Sequence, residues 1–201
     1  MPAARESLLD AAFAALTSRP WTAVRMVDVA AAAGVSRQTL YNEFGSKEGL
    51  ARALVRREAD AYLAGVDRVL AAPADSRDRL VAIAEWTLSA ARGNPLVRAM
   101  LTGCWNERLP APTLSPVPSS SAVPAQRRAD GPLPSPSDLV TLVRDRAATA
   151  LTGAGTTKAE RAEIARSAEL VVRLSLSCVA APPGDGSVTD LVRTALPRRP
   201  G

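Results

Sequence analysis

Histidine is absent from all 201 residues. The side chain most often used as a general base or metal ligand near neutral pH is therefore missing, and hydrolase, metalloenzyme and pH-switch chemistry lose their usual carrier. Aromatic residues make up only 3% of the chain. β-Branched alternation is scarce as well, which sets aside strand-built folds and points to an all-α protein. No apolar run approaches the length of a membrane helix, and Glu6 and Asp10 stand where a secretory signal would be apolar. A cytoplasmic protein with no membrane partner is expected. Cys104 and Cys178 have no further ligand at metal-binding spacing and read as reduced core thiols rather than a disulfide. Neither a Gly-rich phosphate loop nor a nucleophile elbow is present, so no enzyme activity, cofactor or metal is expected.

What is abundant is apolar and helix-forming. Hydrophobic residues account for 47% of the chain, enough for a substantial core. The net charge of +5 invites a nucleic-acid partner, yet residues 1–60 hold eight basic and seven acidic side chains. Bulk charge alone does not identify DNA.

Helical periodicity begins with Leu8, Leu9, Ala12, Phe13 and Leu16, and Arg19-Pro20 closes that helix. Met26, Val29, Ala30 and Ala33 form a second short stripe stopped by Gly34. Ser36 is placed to cap a third helix, with Leu40 and Phe44 facing inward, and Ser46 to cap a fourth running to about Ala72. That fourth helix has an apolar stripe of Leu50, Leu54, Ala61, Tyr62, Val66, Val69 and Leu70. At about 26 residues it would be roughly 39 Å long, a suitable connector between two bodies. Further helices are predicted at about 75–92, 95–106, 137–152 with Ser137 as cap, 158–181 behind Thr157, and 187–196. Residues 107–136 hold eight of the sixteen prolines, and a mobile Pro/Ser-rich loop is expected there.

The helix behind Thr157 is apolar nearly all round in its second half, which suggests cover from a second subunit or from an internal core. Val171, Val172, Leu176 and Val179, with Leu191 and Val192 of the last helix, are the candidate interface residues.

The stretch GVSRQTLYNEFGSKEGL, residues 34–50, carries the functional signal. Two short helices joined at Ala33-Gly34-Val35, the second polar on its outer side, form a helix-turn-helix whose second helix suits the major groove. Arg pairs with guanine, Gln and Asn pair with adenine, Thr offers a methyl to thymine and Tyr a hydroxyl to phosphate. Lys47, in the first turn of the next helix, is placed for a phosphate.

These residues resemble the TetR family of transcriptional regulators: an Ala-Gly-Val-Ser turn, Thr-x-Tyr, a Phe three residues later and a Lys opening the connecting helix. The resemblance implies phosphate contacts from Thr39, Tyr41 and Lys47, with Ser36 and Arg25 beside them, and base contacts from Arg37, Gln38 and Asn42. Arg25 stands where members often place Thr or Ser. Glu43 is the larger departure, a carboxylate near phosphates that would repel them unless it faces cytosine N4 or pairs with a cation such as Arg25 or Lys47.

The resemblance further implies an all-α homodimer with a helix-turn-helix domain at 1–46 and a helical effector-binding and dimerisation domain at 47–201. Such a protein would repress from a palindromic double-stranded DNA operator until a small-molecule effector binds. Trp86, Met100, Cys104, Trp105, Leu174 and Cys178 are the soft, bulky candidates for an effector pocket, although each also reads as ordinary core. A second reading stays open: an all-α ligand-binding or scaffold protein whose helix-turn-helix no longer reads DNA.

Overall fold

The computed structural model describes residues 2–111, 133–153, 155–182 and 187–196. Among them the chain forms nine α-helices and no strand: α1 Pro2–Ser18, α2 Met26–Ala32, α3 Arg37–Phe44, α4 Lys47–Leu70, α5 Ser76–Gly93, α6 Pro95–Thr102, α7 Pro136–Leu151, α8 Lys158–Ala180 and α9 Val188–Ala195. No helix among the described residues is long and apolar enough to cross a membrane. The chain divides into two compact units, the first comprising 1–58 and 105–133, the second 59–104 and 134–201.

Most boundaries follow from local chemistry. Ser36 accepts from the Thr39 amide and starts α3, and Asp75 does the same for α5 through Asp78. α6 stops four residues short of the periodicity because Gly103 turns left-handed at φ 71°. The cap of α7 is Ser135 rather than Ser137: Ser135 and Asp138 exchange side-chain and backbone hydrogen bonds in a capping box, and Pro136 takes the first helical position. Thr157 and Glu160 form the same box at α8.

In the first unit α1 packs on α2 and α3. Leu8, Ala12, Val29, Ala30, Leu40, Phe44, Leu50 and Leu54 are buried. A short 3-10 turn, Trp21–Ala23, lies between α1 and α2, with Trp21 buried. The Trp21 amide donates to the Arg108 carbonyl at 2.9 Å, and Pro110 is buried. The start of the Pro-rich stretch, expected to be mobile, is thus docked on the first unit. Residues 112–132 of that stretch lie outside the described residues.

In the second unit α5 packs against α6, α8 and α9, and α7 against α8. Tyr62 of α4 is buried and shares a 3.0 Å hydrogen bond with Thr87. Burial pushes its phenol up to about 12. Gly65 lets α4 and α5 approach closely, since a Cβ there would sit 2.1 Å from the Trp86 ring. Ala61, expected in the apolar stripe of α4, is exposed, and Leu63 is buried instead.

Candidate nucleic-acid interface

The recognition surface is built around two anchors. Leu40 is fully buried and Phe44 nearly so. Four residues apart, they pin one side of α3 to the core and turn the other outward. Arg37, Gln38, Tyr41 and Asn42 are all exposed, and Thr39 is half-buried. Tyr41 is one of few large apolar side chains left open, at 40% exposure.

The turn before α3 fixes where the helix starts. Gly34 has φ 67°, a backbone conformation that disfavours side chains. The Val35 amide then returns to the Ala30 carbonyl at 3.0 Å. Ser36 Oγ accepts the Thr39 amide at 3.0 Å and lies 2.9 Å from the Thr39 hydroxyl. Both hydroxyls therefore serve the cap as well as the surface.

On the outer side Gln38 Nε2 donates to Asn42 Oδ1 at 2.8 Å. This i, i+4 bond sets the two amides side by side with a donor and an acceptor still available, the complement of adenine's N7 acceptor and N6–H donor. The Arg37 side chain makes no hydrogen bond or ion pair among the described residues. Its guanidinium is the cation of α3 at the surface.

The other expected cations are engaged. Lys47 Nζ donates to the Thr22 carbonyl at 3.2 Å and lies 5.4 Å from the Trp21 ring centroid. It ties the start of α4 to the turn before α2. Arg25 caps α2 without a side-chain bond to the backbone, consistent with the lack of a hydroxyl. Its guanidinium grips Asp28 through two bonds of 3.0 and 2.9 Å. Arg19 reaches the same carboxylate at 3.3 Å. The Arg25 hydrogen bond holds the Asp28 carboxyl below its usual range, with the charges of Arg25 and Arg19 adding to the effect.

Glu43 forms an ion pair with Arg5 of α1 at 3.7 Å, and the Arg5 guanidinium also lies 4.7 Å from the Phe44 ring centroid. Sequence reasoning missed Arg5, as no periodicity links α1 to the far end of α3. It also missed Trp21, Asp28 and Arg19, whose roles depend on how α1 and α2 cross.

Residues 8–54 match the family model for bacterial regulatory proteins of the tetR family. The HTH-type transcriptional regulator AlkX of Mycobacterium tuberculosis is 34% identical over 197 residues, covering 96% of this chain and 83% of that one. The chain belongs to the TetR family. It is a transcriptional regulator with a DNA-binding helix-turn-helix, and its relatives are regulators rather than enzymes. Two solved TetR-like structures share the fold. The TetR family repressor AlkX from Dietzia sp. has a TM-score of 0.53 and 23% identity, covering 94% of this chain and 92% of that one. AibR, solved with isovaleryl coenzyme A and operator DNA, has a TM-score of 0.50 and 17% identity, covering 96% and 98%.

The second unit distributes the remaining candidates unevenly. Met100 and Cys178 are buried, on the mutually packed α6 and α8, and Leu174 is half-buried. Cys104 is exposed instead of buried, because α6 has already ended at Thr102. Trp86 is committed to packing: its indole N–H donates to the Tyr62 carbonyl at 3.0 Å, and the Arg68 guanidinium lies 5.3 Å from the ring centroid. Trp105 belongs to the first unit.

Among the interface candidates, Val171, Val172 and Val192 are fully buried within the single chain, and Val179 nearly so. These four are core: α8, which carries Val171, Val172 and Val179, packs against α5 and α7, and α9, which carries Val192, packs against α5 and α8. Leu176 is half-buried. Leu191, at 42% exposure, faces out, and so does Leu170 at 39%.

Proposed function

We propose that this TetR family member is a repressor that binds a palindromic operator as a homodimer and leaves it when a small apolar effector binds. The observation that carries the DNA half is the outward row Arg37, Gln38, Tyr41 and Asn42 above the buried Leu40 and Phe44. Arg37, Gln38 and Asn42 read bases, and Thr39, Tyr41, Ser36, Arg25 and Lys47 hold the phosphate backbone. Lys47 does so from a position already fixed by Trp21. The domain boundary is drawn at residue 46, with the whole of α4 assigned to the effector domain as its connector to α1–α3.

Dimerisation uses the outer sides of α8 and α9, where Leu170, Leu176 and Leu191 remain accessible. The effector lies among α5, α6 and α8, close to Met100, Leu174 and Cys178. An apolar effector is supported by the soft, uncharged character of those three side chains. It also agrees with the AlkX repressor from Dietzia, which is implicated in biodegradation of n-alkanes. Effector binding favours a spacing of the two recognition helices other than one turn of DNA, and DNA affinity falls by linkage.

Selection from a random duplex pool with the purified protein at near-physiological salt tests this reading. The expected product is a palindrome whose half-sites lie about one helical turn apart. Arg37→Ala should relax one base position in each half-site at a cost of about 1–3 kcal/mol. A folded dimer that enriches no sequence would reject the operator reading and favour a scaffold that no longer reads DNA.

A further inference from the structure

Three charged side chains meet at the edge of the helix-turn-helix: Arg19 at the end of α1, Arg25 just before α2, and Asp28 in the first turn of α2. Arg25 holds both Asp28 oxygens, and Arg19 shares one of them. The cluster is open to solvent. Arg25 is 73% exposed, and Arg19 and Asp28 line an open cleft between α1 and α2 walled by Ala11, Ala14, Ala15 and Val29. Any charge it carries is therefore felt outside the protein.

In a helix-turn-helix the first helix of the pair crosses the phosphate backbone while the second enters the groove. Here that first helix is α2, so the cluster stands on the phosphate side. Phosphate contacts release counterions, and the number of cations engaged fixes the salt dependence of binding. Two arginines would offer two such contacts. A carboxylate bound to both removes one unit of charge and occupies the Arg25 Nε and Nη2 donors. The scarcity of net charge in residues 1–60 makes each such unit count.

We propose that Asp28 sets the strength and salt dependence of DNA binding by holding Arg25 and Arg19 in one ion cluster, so that α2 meets the phosphates with one net positive charge instead of two. The carboxylate limits non-specific affinity, leaving discrimination to Arg37, Gln38 and Asn42. Asp28 acts through the two arginines and is a positioning residue. The inference rests on the DNA-binding reading of the same surface.

The test compares full-length wild type, Asp28→Asn, Arg25→Gln and the double variant Arg25→Gln/Asp28→Asn. Affinity for a random-sequence duplex is measured from 50 to 200 mM salt, after circular dichroism has verified equal helicity. Asp28→Asn should bind more tightly at low salt, by about threefold or more, with the slope of log K against log salt steeper by about 0.9. The double variant should return to the wild-type slope, and Arg25→Gln should fall below it. This ordering by cluster charge is one that a merely structural role for Asp28 does not produce. An unchanged slope in Asp28→Asn would overturn the proposal. So would weaker binding by that variant, because Asp28 would then be presenting Arg25 to the phosphate rather than restraining it. A wild-type protein that binds no duplex at all would remove the DNA-binding reading as well, and so differs from failure of the Asp28 proposal alone.

Discussion

The first and second units are built from the same material, amphipathic helices with a few well-formed caps, yet their functional residues were unequally visible. In the first unit the informative side chains are polar and exposed, and a polar row above two buried anchors has few structural explanations. In the second unit the informative side chains are apolar. A leucine or valine at helical spacing serves equally as core, pocket wall or subunit interface, and only packing separates these roles. Val171 and Leu170 are neighbours in sequence, one fully buried and one 39% exposed.

The contrast predicts that in the first unit a core lesion takes the surface function with it. Leu40→Ala should cost about 2–5 kcal/mol in denaturant unfolding and remove DNA binding with it, because the same side chain anchors the recognition helix. An equal loss of stability with DNA binding intact would mean that α3 is held by something other than its buried side.

Gly65→Ala probes the second unit. A methyl group aimed at the Trp86 ring overpacks the α4–α5 contact and should cost about 1–3 kcal/mol, read as a lower melting temperature. DNA affinity below the melting range should stay near wild type if the two units are energetically separate. A parallel fall in affinity would instead reveal coupling through α4.

Ser36→Ala lies at the border between fold and function. Loss of the cap should cost about 1 kcal/mol of stability. It should weaken operator binding further than Thr39→Val, which keeps the cap but loses one hydroxyl. The smallest effect is expected for Glu43→Gln, whose half-buried pair with Arg5 contributes little to stability. Removing that carboxylate from beside the recognition helix should raise affinity for random duplex by about twofold to fivefold while melting stays unchanged. Unchanged binding to every duplex tested would show that Arg5 already neutralises Glu43.

The fold was legible wherever one local interaction decides. Ser36, Thr157 and Gly34 each act within a few residues, and the helices they start or stop came out near their expected ends. The misplaced cap of α7 has the same origin: two serines two residues apart both fit the pattern, and the capping box with Asp138 selects Ser135. The outward row of α3 was equally legible. Its neighbours were not, since the partner of Glu43 comes from α1, Lys47 is fixed by Trp21, and Asp28 draws in Arg19 from the preceding helix.

By itself, then, the sequence determined the helical class, the order and most ends of the helices, the helix-turn-helix and its polar row. All of these arise from hydrogen bonds and side-chain spacings within one or two turns. The tertiary structure alone decided which apolar residues of α8 became core, that Trp86 was consumed in packing against Gly65, and that Cys104 was left outside. It also decided that Arg25 and Glu43, which flank or lie on the recognition helix, would be held in ion pairs and Lys47 by a carbonyl and an indole ring. Those outcomes depend on which helices come side by side, and burial and ion pairing between segments distant in sequence leave no periodic trace along the chain.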